Sequence, residues 1–238
     1  GELMNGLREV SDNIAHDLRT PLTRLRASSE EALRTAKSPE ELTRALERTI
    51  EESDGLIKIF NALLMIARAE AGSAPGTLAN VSLAEIVADV VELYEPVAEE
   101  AGVTLNMGEM VAADVRGSRE LLSQAIANLV DNAIKHGRPA DGGKPGEIRI
   151  SMRSAAETVA LVVADNGSGV PPEDHERVLE RFVRLEKSRA QPGSGLGLSL
   201  VAAIARLHGG KVSLEDNEPG LRVVLTLPLR RAAAGGSV

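Results

Sequence analysis

Asn128-Leu129-Val130-Asp131-Asn132-Ala133-Ile134-Lys135-His136 sets two asparagines four residues apart inside what otherwise reads as a buried helix. Asparagine in a helix interior costs roughly half a kcal/mol against alanine. A pair at i and i+4 shares one face, and that face is polar where Leu121, Leu122, Ile126, Leu129 and Ile134 make the other apolar. An amide oxygen is a hard, neutral ligand suited to Mg²⁺, which keeps waters and takes its remaining oxygens from phosphates. Lys135, three residues past Asn132, can neutralise those phosphates. A polar helix face making ordinary hydrogen bonds is the other reading of the same residues.

Downstream, two glycine-bearing turns extend the pattern. Ala164-Asp165-Asn166-Gly167-Ser168-Gly169-Val170 follows the strand-like run Val159 to Val163. Its alternate glycines, Gly167 and Gly169, permit a tight turn and close ligand approach, and Asp165 offers a carboxylate that can accept from an exocyclic amine. A simple turn explains the glycines as well, but the aspartate less well. Pro192-Gly193-Ser194-Gly195-Leu196-Gly197-Leu198-Ser199-Leu200-Val201 runs from glycines into a helix start, where free N–H groups and the helix dipole make an anion site. No Gly-Lys-Ser/Thr follows, so it is not a Walker A loop, and no βαβ unit precedes it. Between these turns, Glu180 to Arg189 carries Arg184 among other basic groups that can meet phosphates, with Phe182 as an apolar anchor; a solvated charged loop is its other reading.

The elements around these segments read as mixed α and β. Ser82 caps a helix over 83–100, short alternating runs follow near 103–107 and 111–116, and a helix spans about 118–136. Strands are expected at 147–153 and 158–164, a helix at about 196–208, and strands at 211–216 and 221–227. Helices beside a mixed sheet give an α+β sandwich over 81–230. Residues 71–80 read as a linker by composition, and 231–238 as a disordered tail.

Upstream, everything is helical. Leu3, Leu7, Val10, Ile14, Leu18, Leu22 and Leu25 recur at spacings of three and four, the period of a helix burying one stripe. The pattern breaks at Lys37-Ser38-Pro39-Glu40, a helix start, and resumes through Leu42, Leu46, Ile50, Leu56, Ile57, Phe60, Leu63 and Leu64. One such hairpin over 1–70 cannot bury both stripes, so a homodimeric four-helix bundle is expected. His16, in Asn13-Ile14-Ala15-His16-Asp17-Leu18-Arg19-Thr20-Pro21-Leu22, lies off the stripe with Asp17 beside it. An exposed histidine with its own carboxylate neighbour can act as a nucleophile; an ordinary surface histidine is the bland reading.

Composition narrows the class. Of 238 residues, 43% are hydrophobic and 26% charged, as in an ordinary globular protein. The net charge of −8 argues against a nucleic-acid partner. Cysteine is absent, which excludes disulfides, thiolate zinc sites and a cysteine nucleophile. His16, His136, His175 and His208 show no metal-ligand spacing. No run reaches the roughly 18 to 20 apolar residues of a membrane span. The chain therefore reads as a soluble piece, already in helical register at its first residues and so cut from a longer protein.

Taken together and in this order, the asparagine box, the Asp-x-Gly-x-Gly turn, the phenylalanine segment and the second glycine box resemble the gyrase-type (Bergerat) ATP-binding fold. The His-Asp-x-x-Thr-Pro hairpin before them resembles the phospho-acceptor of the two-component sensor histidine kinases. The resemblance covers residues 5 to about 230. It implies ATP and Mg²⁺ as cofactors, with His16 the phospho-acceptor and Asp17 fixing its tautomer and serving as base. It implies Asn132 holding Mg²⁺ with Asn128 beside it, and Lys135 on phosphate oxygens. His136 would lie along the nucleotide, and Asp165 would read the adenine amine. Gly195, Leu196 and Gly197 would cradle phosphates, and 184–194 would form a lid. Thr20 matches the position that orients water when phosphate is removed from the regulator. The implied partner is a response-regulator receiver domain in trans. The implied location is the cytoplasmic face, with the parent protein anchored in the inner membrane by segments preceding this one.

One departure stands out. His136 and Gly137 follow Lys135 where the family often has an aromatic and a small hydroxyl residue. Two rival functions follow from the same motifs: a gyrase-type ATPase without autophosphorylation, which needs no His16-Asp17 pair, and a catalytically silent docking and phosphotransfer module, which needs no intact asparagine and glycine boxes.

Overall fold

In the computed structural model of the chain, the described residues are 22–23, 25–27, 29–35, 38–47, 49–50, 53, 57, 78–139, 145–180, 183, 185 and 197–230. Among these, residues 22–35 and 39–57 are helical wherever they are described. Ser38 starts the second helical stretch as expected: its hydroxyl accepts from the Glu41 N–H at 3.2 Å. The hydroxyls of Ser29 and Thr49 meet at 3.5 Å, which ties the two stretches side by side as a hairpin. Leu33, Leu46, Ile50 and Ile57 stand 76%, 55%, 61% and 55% exposed on it.

The remaining described residues form the sandwich. In chain order they are β1 (Ala79–Ser82), α1 (Leu83–Glu100), β2 (Val103–Met107), β3 (Asp114–Gly117), α2 (Arg119–His136), β4 (Gly146–Ala155), β5 (Thr158–Asp165), two 3₁₀ turns, α3 (Gly197–Leu207), β6 (Lys211–Asp216) and β7 (Leu221–Pro228). Five strands make one sheet in the order β2-β4-β5-β7-β6, with β2 parallel to β4 and every other pair antiparallel. β1 and β3 form a separate antiparallel pair.

Alternation decides which face of the sheet is covered. Ile148, Ile150 and Met152 of β4 and Val159, Leu161 and Val163 of β5 are buried, in one cluster with Leu83, Ile86, Leu122, Ile126, Val130, Val201 and Ile204 of the three helices. Each fully buried aliphatic side chain contributes about 1.5–3 kcal/mol, which lets the fold do without aromatic bulk. The intervening residues Glu147, Arg149 and Arg153 lie exposed on the other face. Both long helices begin at serine caps: Ser82 Oγ accepts from the Glu85 N–H and Ser118 Oγ from the Leu121 N–H, each at 3.4 Å.

Two boundaries differ from the sequence reading. Ala79 and Asn80, read there as linker, are paired in β1 with Gly117 and Arg116. In the run read over 111–116, the strand begins only at Asp114. The segment just before it bonds elsewhere: Gly108 N–H donates to the Ile150 carbonyl, Met152 N–H to that of Glu109, and Leu83 N–H to that of Ala113. The linker residues 71–77 and the tail 231–238 lie outside the described residues.

Candidate functional site

α2 carries the asparagines because its apolar stripe is fully used. Leu122, Ala125, Ile126, Leu129, Val130 and Ala133 are buried, which turns Asn128 and Asn132 to the half-buried flank. The N-terminus of α3 meets that flank. A Cβ on Gly197 would stand 3.0 Å from Asn132 Nδ2, 3.3 Å from its Oδ1 and 3.5 Å from Asn128 Oδ1. Thus the asparagine pair and the last glycine of the second glycine box, 65 to 69 residues apart in sequence, lie face to face. The α3 N-terminus adds main-chain N–H groups and a positive dipole end.

The amides differ in commitment. Asn128 Nδ2 donates to the Gln124 carbonyl at 2.8 Å, which leaves its Oδ1 on the Gly197 side. The Asn132 side chain makes no hydrogen bond among the described residues. Lys135 Nζ pairs with Asp131 Oδ2 at 2.5 Å, with side chains 46% and 36% exposed. Such an exposed i,i+4 pair is worth about 0.3–0.5 kcal/mol, so a phosphate can draw the ammonium away at little cost. Tyr94 of α1 packs against the apolar core, and its phenol is pushed up by burial and by the Asp131 charge. His136 ends α2 with its side chain exposed.

Asp165 closes β5 at 7% exposure. Its Oδ1 accepts from the Gly167 N–H at 2.9 Å and the Leu221 N–H at 3.3 Å, while Oδ2 has no partner among the described residues. Burial raises the carboxyl above its usual value of 3.8, and the two N–H groups pull it down again by less. Glycine is required around it. A Cβ on Gly167 would run into the His136 carbonyl, one on Gly220 into the Asp165 carbonyl, and one on Gly137 would come within 2.9 Å of the Asp165 Cβ. These contacts seat the Asp165 turn on the C-terminal end of α2, and Gly169 completes the turn at φ +67°.

The structure therefore brings together Asn128, Asn132, Lys135, His136, Asp165, Gly167, Gly169 and Gly197 around one end of α2. His16, Asp17, Thr20, Phe182, Arg184, Gly195 and Leu196 lie outside the described residues. The sequence reading assigns no role to Asn166, Asn217 or Gly220, and takes Gly137 only as a departure from the family pattern. Asn166 Oδ1 accepts from the Glu147 N–H at 2.7 Å, and Asn217 Nδ2 donates to the Asp165 carbonyl at 2.7 Å. Only the Glu218-Pro219-Gly220 turn signal hinted at the second. Chemically, the donor set suits a hard divalent cation shared with phosphates: an uncommitted amide, a second amide oxygen, a helix N-terminus and a releasable ammonium. The uncommitted Oδ2 of the largely buried Asp165 suits a ring-bound amine.

Comparison with known proteins gives this geometry a family. Residues 117–231 match the family of histidine kinase-, DNA gyrase B- and HSP90-like ATPases. Residues 7–72 match the His Kinase A (phospho-acceptor) domain. The sensor protein IrlS of Burkholderia pseudomallei is 32% identical over 230 residues, covering 96% of this chain and 48% of that protein. The sensor-like histidine kinase SenX3 of Mycolicibacterium smegmatis is 31% identical over 224 residues, 93% of this chain and 57% of that protein. The chain thus spans about half the length of these relatives. Among solved structures, full-length ShkA in complex with AMPPNP superposes with a TM-score of 0.68 at 25% identity, over 95% of this chain and 47% of that one. The mycobacterial sensor histidine kinase MprB gives 0.56 at 27% identity, over 64% of this chain and 98% of that one. With a phospho-acceptor hairpin followed by a gyrase-type ATPase domain, the chain belongs to the two-component sensor histidine kinases.

Proposed function

We propose that this chain binds ATP between α2, α3 and the Asp165 turn, transfers the γ-phosphoryl group to His16, and passes it on to an aspartate of a response-regulator receiver domain. The observation that carries the reading is the meeting of Gly197 with Asn128 and Asn132 beside a buried carboxylate. It is supported by the phospho-acceptor match over residues 7–72 and by the AMPPNP bound in the ShkA structure.

In this reading Asp17 accepts a hydrogen bond from His16 Nδ1–H, which leaves the Nε2 lone pair free to attack. A bond forms from Nε2 to the γ-phosphorus as the bond from that phosphorus to the β,γ-bridging oxygen breaks, and ADP leaves with that electron pair. Asn132, with Asn128 beside it, holds Mg²⁺. When bound, the ion neutralises charge on the triphosphate and aligns it. Lys135 and Arg184 meet phosphate oxygens, Gly195, Leu196 and Gly197 give the phosphates backbone N–H groups, and His136 lies along the nucleotide. Asp165 Oδ2 accepts from the adenine amine. The exposed Leu46, Ile50 and Ile57 of the hairpin pack against a second copy. No helix among the described residues is long and apolar enough to cross a membrane, and ATP as substrate puts the reaction in the cytoplasm.

The deciding experiment is incubation with γ-labelled ATP and Mg²⁺, comparing the chain with His16→Gln. Acid-labile, base-stable label that the variant lacks is the expected result. Hydrolysis without retained label would favour the ATPase reading, and binding without either would favour a silent docking module. Thr20 further gives the chain phosphatase action on the phosphorylated regulator, by orienting the attacking water. Thr20→Ala should leave His16 labelling within about twofold and slow regulator dephosphorylation about tenfold or more, the size of one lost general-base or positioning contact. Equal loss of both activities would instead assign Thr20 to the helix itself.

A further inference from the structure

Asp165 is held from two sides, and the β6–β7 hairpin makes the more specific hold. The Leu221 N–H donates to Oδ1 at 3.3 Å, and Asn217 Nδ2 donates to the Asp165 main-chain carbonyl at 2.7 Å. Gly220 lets the hairpin come this close, since a Cβ there would run into the same carbonyl. Both ends of the Asn217 amide are committed. Its Oδ1 accepts from Arg222 Nη2 at 2.9 Å, and Arg222 Nη1 lies 3.5 Å from Glu215 Oε2. The main-chain N–H of Asn217 donates to the Gly220 carbonyl at 3.2 Å, which closes the loop on itself.

A relay therefore runs from the open face of the sheet to the Asp165 turn: Glu215, Arg222, Asn217, Asp165. Its chemistry needs an amide at 217. A carboxylate there offers no donor and would face a carbonyl oxygen; an aliphatic side chain would take the Asn217 amide away from Arg222 Nη2 and from the Asp165 carbonyl. With Oδ1 turned inward to two N–H groups, Oδ2 is the atom presented to a ligand.

We propose that Asn217, steadied by Arg222, is the positioning residue that sets where Asp165 Oδ2 meets the base, and so makes the β6–β7 hairpin the determinant of adenine selectivity. This rests on the reading of Asp165 as the acceptor of the adenine amine. Neither Asn217 nor Arg222 touches the nucleotide; they act through the aspartate. Hydrogen bonds weaken steeply with distance and angle, so release of the turn costs amine recognition first and phosphate binding little.

The test compares two ligands of the full chain, AMPPNP and its purine analogue lacking the 6-amino group, by competition against a fluorescent nucleotide. The native chain should prefer AMPPNP by about 10- to 100-fold, the value of one hydrogen bond to a charged group. Asn217→Ala and the near-isosteric Asn217→Asp should reduce that preference about fivefold or more while the affinity for the amine-free analogue holds within about twofold. Arg222→Ala should reduce it by a smaller factor, and it serves alone if neither Asn217 variant folds, as judged by the thermal midpoint. Equal weakening of both ligands would reduce Asn217 to a general packing role and overturn the proposal. So would an unchanged preference in all three variants while Asp165→Asn abolishes it. If Asp165→Asn itself leaves the preference intact, the assignment of Asp165 to the base fails, and the positioning role with it.

Discussion

At the scale of single residues, the site depends on which atoms are already satisfied. Two N–H groups fix Asp165 Oδ1 inward and leave Oδ2 outward. The same two donors would hold the amide oxygen of an asparagine inward at this position, which turns its NH₂ outward to where the ligand's amine arrives. Donor would then meet donor with adenine, whereas the 6-oxo group of guanine would find a partner. Asp165→Asn is therefore expected to weaken AMPPNP by tenfold or more and to move the preference toward the guanine analogue, because a site that leaves buried polar groups unpaired discriminates strongly. Competition titrations with both nucleotides check this; an equal loss for both would mean that the turn had collapsed. Asn128, Asn132 and Asp165 were legible in the sequence because each breaks a local rule, amides inside a helix or an acid ending an apolar strand. Asn217 breaks none: it sits in an ordinary turn, and its bond reaches a main-chain carbonyl 52 residues away.

Among the elements, what the chain advertises is periodicity and capping. Ser82 and Ser118 mark the starts of α1 and α2 in sequence and do so in the structure. β1 was not legible, because four residues after a glycine- and serine-rich stretch carry too little alternation to stand out, and only pairing with β3 makes them a strand. The joint between α2 and α3 was also hidden. Its polar part is made by His208, 6% exposed, whose Nδ1 meets the Ile204 carbonyl at 2.7 Å while Nε2 accepts from the Ser118 N–H at 3.0 Å. That pairing requires the neutral ring with its proton on Nδ1. Burial lowers the imidazole below its usual 6.5, with the Ile204 carbonyl opposing. The unfolded chain thus takes up the proton first as pH falls. The stabilisation is whole above about 6.5 and declines as pH drops from there toward the lowered folded value, by about 1.4 kcal/mol for each unit of lowering. Denaturant midpoints from pH 8 to pH 5 should fall for the native chain and fall less for His208→Gln. Parallel curves would assign the acid sensitivity to other groups.

On the scale of the whole molecule, the two parts solve burial differently. The apolar core runs from Leu83 to Leu227, and among the described residues no side chain of the hairpin joins it. The sandwich is thus self-sufficient in burial. The hairpin is not: Leu22, Leu33, Leu46, Ile50 and Ile57 are each more than half exposed, at 51%, 76%, 55%, 61% and 55%. Burying such a side chain contributes about 1.5–3 kcal/mol, so covering the stripe with that of a second copy is the main source of stability open to two helices that share only one contact layer. Charges placed on that stripe should separate the two parts. Leu46→Lys combined with Ile50→Lys is expected to shift the chain from dimer to monomer at micromolar concentration, read by light scattering after size exclusion. Labelling of His16 should fall with the dimer, by tenfold or more, because the hairpin loses the packing of its exposed stripe. AMPPNP affinity should stay within about twofold, because every described residue proposed to face the nucleotide belongs to the sandwich. A variant that remains dimeric would show that the exposed stripe is not the interface, and loss of nucleotide binding together with the dimer would show that the sandwich leans on the hairpin after all.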